Sequence, residues 1–253
     1  MKPYILFESN WKQIKSTEYQ VAVLPWGATE PHNYHLPYST DIIEATEIAY
    51  ESARKAWNSG AKVIVLPTIP FGVNTGHSDL RLTININPTT QISILNDILT
   101  SLSNQNIKKF LILNSHGGNE FKPLLRELGS KFPDMFLSTC NCYQSLNKLD
   151  YFDNDGDHAD EMETSLILYL APNLVLPLSE WGEGVEKKIK IKMFSEKWAW
   201  TERKWSKISD DTGVGIPMKA TKEKGEKYFN AVTDKISQLI VEIAKADLQN
   251  LYE

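Results

Sequence analysis

The sequence predicts an α/β fold: a three-layer sandwich with a mainly parallel central sheet flanked by helices. Three observations support this. Short apolar runs recur at residues 21–24, 63–66 and 110–113, with a fourth, mostly apolar run at 135–140. A strand without polar alternation is one covered on both faces, as in a parallel sheet. Segments with apolar residues at helical spacing lie between these runs, and the regular alternation implies crossover units rather than hairpins. With 253 residues and no linker, repeat or low-complexity segment, the chain reads as a single domain over 1–253.

Taken in order, the first run ends at Pro25 and leads into Gly27-Ala28-Thr29-Glu30-Pro31-His32-Asn33-Tyr34-His35-Leu36-Pro37. A helix follows over 41–57, with Ile42, Ala45, Ile48, Ala49 and Ala56 on one face. Two carboxylates, Glu30 and Asp41, and two imidazoles on a strand-to-helix loop are donors that suit a divalent metal. The alternative is a polar surface loop in which Thr40 or Asp41 caps the helix. The second run is followed by Pro67 and later His77. A helix over 89–102 repeats Ile92, Leu95, Ile98, Leu99 and Leu102.

The third run turns at Asn114-Ser115-His116-Gly117-Gly118-Asn119. Its glycines permit a sharp turn that presents the imidazole, and Asn119 is placed to cap a helix over 121–128. After the fourth run, Asp157-His158-Ala159-Asp160-Glu161-Met162-Glu163 opens a helix over 161–170. The helix dipole alone accounts for acids in a first turn. That explanation suits Asp160 and Glu161 better than Glu163, which precedes Leu166-Ile167-Leu168.

Residues 181–211 differ in character. Lys and Ile alternate over 186–192, which predicts a half-exposed strand. Trp198, Trp200 and Trp205 follow, a cluster that reads as core or subunit interface more readily than as a substrate wall. A last helix is expected over 221–248.

Composition narrows the function. The net charge is −5 and there is no basic block, which argues against nucleic acid as a partner. No apolar run is long enough to span a membrane, and residues 1–10 lack the features of a signal peptide. Cys140 and Cys142 are one residue apart in an extended segment, so they point to opposite faces and stay free thiols. Free thiols suit a reducing compartment, the cytoplasm. All five histidines, His32, His35, His77, His116 and His158, fall at loop or turn positions after apolar runs. The C-terminal strand ends of an open parallel sheet converge on one crevice, so these positions point to one site.

Together these motifs resemble the creatininase (creatinine amidohydrolase) family. Its pattern is Gly-x-x-Glu-x-His-x-x-His-Leu-Pro with an Asp four residues later, then Asn-Gly-His-Gly-Gly-Asn, then His-Ala-x-Glu-x-Glu-Thr-Ser. The chain has Gly27 to Asp41, Asn114 to Asn119 with Ser115 for glycine, and His158 to Ser165. Gly72-Val73-x-x-Gly76-His77 and a glycine-rich stretch from Gly213 to Gly225 also match in order.

The resemblance implies a centre of two divalent metals. Glu30 and His116 would bind one and His32 the other, with Asp41 between them and Glu163 as the fifth protein ligand. His158 would carry the proton, with Asp157 as its acidic neighbour. His35, His77, Arg81 and Asn154 would face the substrate, His35 through contact or from behind the ligands. Zinc suits the donors best, with manganese or iron close behind. The implied chemistry is attack of metal-activated hydroxide on a small cyclic or linear amide. Ring opening of a cyclic keto-polyol, or a non-catalytic binding role, are the alternatives. The resemblance also implies a homo-oligomer, a hexamer, and the tryptophan-rich segment is its candidate interface.

Three departures separate the chain from creatininases proper. Their ligand glutamate two residues after the turn histidine is Gly118 here, which leaves Glu163 to fill the set. Their tryptophans beside the shuttle histidine are absent from Phe152-Asp153-Asn154-Asp155-Gly156. Their Phe-Pro-Gly-Thr is replaced by Leu80-Arg81-Leu82-Thr83, where Arg81 either faces an anionic substrate or pairs with a neighbouring acid.

Overall fold

A computed structural model describes residues 2–196 and 198–252. Four strands, β1 (Val21–Trp26), β2 (Val63–Val65), β3 (Lys109–Asn114) and β4 (Phe136–Asn141), form one parallel sheet in the order β2-β1-β3-β4. The register pairs Val21 with Val63 and Val23 with Leu111, while Ile112 lies beside Thr139. Five longer helices connect and cover it: α1 (Thr40–Asn58), α2 (Pro88–Asn104), α3 (Phe121–Lys131), α4 (Glu161–Leu170) and α5 (Lys222–Lys245).

The strand alternation sorts the core into two layers. Val21, Val23, Val63, Val65, Leu111 and Leu113 point to one face and meet Ala45, Ile48 and Ala49 of α1, Leu166 of α4, and Val232 and Ile236 of α5. Ala22, Leu24, Trp26, Ile64, Phe110 and Ile112 point to the other and meet Leu95 and Leu99 of α2 and Phe121 and Leu128 of α3. This is the three-layer sandwich that continuously apolar strands demand. β4, one of the two edge strands, is the exception and is half-exposed along its length, whereas the other edge, β2, is buried and bridged by Ile5 at Val65.

Local chemistry sets the helix starts. Pro88 occupies the first turn of α2, where a missing N–H costs nothing. Asp160 caps α4 by accepting from the Glu163 N–H, and Thr221 caps α5 by accepting from Lys224. The expected strand over 186–192 does not form; this stretch has no ladder partner, and Val185, Ile189 and Ile191 are all exposed. Alternation marks a strand only where a sheet edge is there to pair with it. Both cysteines are free, Cys142 buried and Cys140 half-buried. Among the described residues no helix is long and apolar enough to cross a membrane.

Ile112 lies fully buried in β3 between neighbouring strands. Ile112→Ala is expected to lower unfolding stability by about 2–5 kcal/mol, read from denaturant melts. A change under about 1 kcal/mol would contradict this packing.

Candidate metal centre

The site sits at the C-terminal edge of the sheet, where β1 and β3 end side by side at Trp26 and Asn114. Gly27 follows β1 and lies against the first turn of α1; a Cβ there would come within 2.8 Å of the Asp41 carbonyl carbon. That close approach brings the loop carrying Glu30 and His32 over Asp41. Ser115 ties the same corner from the other strand, its hydroxyl donating to the Asp41 carbonyl at 2.6 Å. The serine that replaces a glycine of the family pattern therefore joins β3 to α1.

The imidazoles are oriented by backbone carbonyls, which can only accept. His32 Nδ1 donates to the Glu30 carbonyl at 3.1 Å, which turns Nε2 toward Asp41 Oδ1 at 3.3 Å. His116 Nε2 donates to the Val73 carbonyl at 3.0 Å, leaving Nδ1 3.1 Å from both Glu30 Oε1 and Asp41 Oδ2. His158 Nε2 donates to the Pro31 carbonyl at 2.9 Å, leaving Nδ1 3.7 Å from Glu30 Oε1. Fixing the tautomer through the outer nitrogen is how proteins aim histidine at a metal.

Three groups of donor atoms converge within 4.8 Å: Glu30, Asp41 and His116; His32, Asp41 and Glu163; and Glu30, His32 and His158. All six residues are buried. Glu30 Oε2, Asp41 Oδ2 and His77 Nε2 are buried with no aligned hydrogen bond, although Glu30 Oε2 lies 3.1 Å from His77 Nδ1. Ligands of one tetrahedral metal at about 2.1 Å stand roughly 3.4 Å from one another and aim at the metal, not at each other. The short but misaligned distances fit a metal.

Charge points the same way. Burial opposes ionisation of Glu30, but His116, His158 and His77 around it hold its carboxyl well below the usual range. Asp41 is likewise lowered against burial by His32 and His116. Burial pushes Glu163 up to about 8, with Asp160 and Asp41 adding repulsion. Burial pulls His32 down, but Asp41 outweighs it and raises the ring to about 9. Burial and the neighbouring His32 push His158 down to about 4, so it stays neutral at pH 7. Glu30 and Asp41 are thus held ionised in a buried site, and buried charges of this kind require compensating cations.

Two loops complete the pocket, a cavity of about 440 Å³. His77 stacks on Trp205 with ring centroids 4.2 Å apart, and Trp205 meets His158 edge-on at 4.6 Å. Trp200 and Arg203 line the same cavity. Trp205 thus forms part of the site wall, while Trp198 and Trp200 are exposed.

The structure brings together Glu30, His32, Asp41, His116, Glu163, His158 and His77. Other expected site residues lie elsewhere. Asp157 lines the cavity, but its carboxylate pairs with Arg203 at 2.5 Å and has no bond to the His158 ring. His35 sits behind the ligands, hydrogen-bonded to Thr164 at 3.0 Å and stacked on Trp181, so it supports the site without facing the cavity. Burial lowers its pKa to about 4. Arg81 is exposed and off the cavity, with no acid paired to it among the described residues, so neither of its expected roles is realised. Asn154 holds Glu161 through its backbone and side-chain N–H groups, both 2.9 Å from Glu161 Oε2, and does not reach the cavity.

Sequence reasoning missed Arg203, Trp205 as a wall, and Glu44. Glu44 is buried with Oε1 unpartnered, and its pKa is pushed well up by burial and by Glu163. Its spacing of three from Asp41 on α1 was the available signal. Ala159, between His158 and α4, holds a left-handed φ of 49° and gives its N–H to the Glu163 carboxylate. That backbone costs an ordinary residue about 1–2 kcal/mol and is common at functional sites.

Fold and donor set define the class, a metal-binding α/β hydrolase. The sequence profile described as creatinine amidohydrolase matches residues 8–240, and the chain belongs to the creatininase family. A crystal structure from Bacteroides fragilis NCTC 9343, assigned as a creatinine amidohydrolase, is 42% identical and covers 100% of both chains with a TM-score of 0.93. The Mycobacterium tuberculosis mycofactocin precursor peptide peptidase is 27% identical over 232 residues, 88% of this chain and 84% of its own. A mutant creatininase of Zn-Zn type shares the fold at 19% identity, TM-score 0.80, covering 97% of this chain and 100% of that one.

Gly118 leaves no room for a side chain beside His116. A Cβ there would collide with the Val73 carbonyl oxygen and come within 2.5 Å of His116 Nε2. Gly118→Ala is expected to break the His116–Val73 hydrogen bond and weaken metal binding about 10–100-fold, measured by chelator competition.

Proposed function

We propose a two-metal amidohydrolase that cleaves the C–N bond of a small cyclic or linear amide. The observation that supports it is the sharing of Asp41 between two donor groups, one with Glu30 and His116 and the other with His32 and Glu163. A carboxylate common to two trios would serve as a ligand in both. Zinc suits these nitrogen and carboxylate donors, with manganese or iron as close alternatives. When bound, such ions polarise a carbonyl and lower the pKa of water.

The chain's own groups supply the rest. His158 is neutral, its Nε2–H is held by Pro31, and its Nδ1 faces Glu30, so Nδ1 is free to accept a proton and return it to the leaving nitrogen. Trp205 packs against His77 and the edge of His158, restricting both rings and closing one side of the site to water. No serine or cysteine nucleophile is required; burial raises the Cys140 thiol to about 12. The same reading includes a homo-oligomer, a hexamer, with the exposed Trp198 and Trp200 supporting a subunit interface. The free thiols support a cytoplasmic setting.

Removing metal with a chelator is expected to abolish turnover of amide substrates, and re-addition of zinc to restore it. Full activity in the stripped protein would sink the proposal. His158→Ala should keep its metal by elemental analysis while losing about 10²–10⁴-fold in rate. A substrate panel separates chemistries: amine release supports the amidase, and acid formation without nitrogen supports the keto-polyol reaction.

A further inference from the structure

We propose that Arg203 is the specificity residue of this cavity and that the substrate is an amide carrying a carboxylate a few bonds from the scissile C–N bond. This rests on the amidohydrolase reading. Two cations line the cavity, Arg203 and Lys148. Lys148 is engaged from within, its ammonium bonded to Asp160 at 3.2 Å and to the Gly156 carbonyl at 3.1 Å. Arg203 is engaged at one corner only. Its Nη1 lies 2.5 Å from Asp157, and the next carboxylate, Glu186, is 3.9 Å away. Among the described residues no other polar group bonds its remaining N–H donors, and its side chain is 38% exposed.

The guanidinium is also rigidly held. It lies 4.7 Å over the Trp205 ring, and Trp205 stacks on His77, whose Nδ1 is 3.1 Å from Glu30. Neighbouring bonds tie the segment to the His77 loop: Thr75 donates to Glu202 at 2.9 Å and Ser206 to Asp79 at 2.6 Å. The cation is therefore held on the Trp205 ring, which in turn stacks on His77 beside the donor cluster. An arginine with free edges of its fork can hold a second carboxylate while Asp157 keeps the first. The N-acyl amino acids and dipeptides have this chemistry: an amide and a carboxylate on one short frame. Hydrolysis consumes one water, breaks the C–N bond, and yields a carboxylic acid and an amine that retains the recognised carboxylate.

The test compares N-formyl-, N-acetyl- and N-benzoylglycine with their carboxamides on the zinc-loaded protein. Binding is read by calorimetry, turnover by amine release, and zinc content is measured in parallel. The carboxylates should bind about ten- to a hundredfold tighter than the carboxamides. Arg203→Met should erase that preference with zinc content unchanged, and Arg203→Lys should restore part of it. Equal affinity within each pair, no binding of any probe, or a preference that survives in Arg203→Met would overturn the assignment; the last result would mean the probe binds the metals. A preference that Arg203→Met abolishes, without turnover of any probe, supports the Arg203 subsite and counts instead against the hydrolase reading.

Discussion

The buried carboxylate of Asp41 is the constraint on which the site depends. Its oxygens sit 3.3 Å from His32 and 3.1 Å from His116, and the residue is 1% exposed. A carboxylate so placed is costly unless cations surround it. The two imidazoles meet that need within the protein, and metals would meet it more completely. Everything nearby fixes Asp41 in place: it lies in the first turn of α1, with Gly27 pressed on its backbone and the Ser115 hydroxyl on its carbonyl.

Backbone carbonyls of Glu30, Val73 and Pro31 each claim the outer nitrogen of one ring. None of these carbonyls is specified by side-chain identity. They are available because the loops run close together, and Gly118 shows how close, since a Cβ there would collide with the Val73 carbonyl oxygen. The orientation of the centre is thus a property of loop packing over a parallel sheet, and the side chains only supply the donors.

The far wall of the cavity has a different origin. It comes from residues 200–205, remote in sequence from every candidate donor. This segment meets the donor cluster through Trp205, which packs on His77 and on the edge of His158. Such separation in sequence suits a family whose members share a fold and a donor pattern but differ in what their names say they cleave.

Much was legible in the sequence because it depends on local pattern. The four apolar runs marked the parallel strands, since burial on both faces leaves no room for polar alternation. Glu30, His32, Asp41, His116 and Glu163 were legible as one set through the resemblance to the creatininase family, and they do converge. Only the tertiary structure decided the rest. Alternation over 186–192 predicted a strand, yet no sheet edge lies there to receive one. From its place after His77, Arg81 read equally as a substrate-side cation or as the partner of a neighbouring acid, but it is exposed and off the cavity, which Arg203 and Lys148 line instead. Asp157 stood next to His158 in the chain, and its carboxylate turned to Arg203 instead. Neighbours in sequence fix which donors exist; which cation faces them across a cavity is set by how distant loops pack, and that is written in no local pattern.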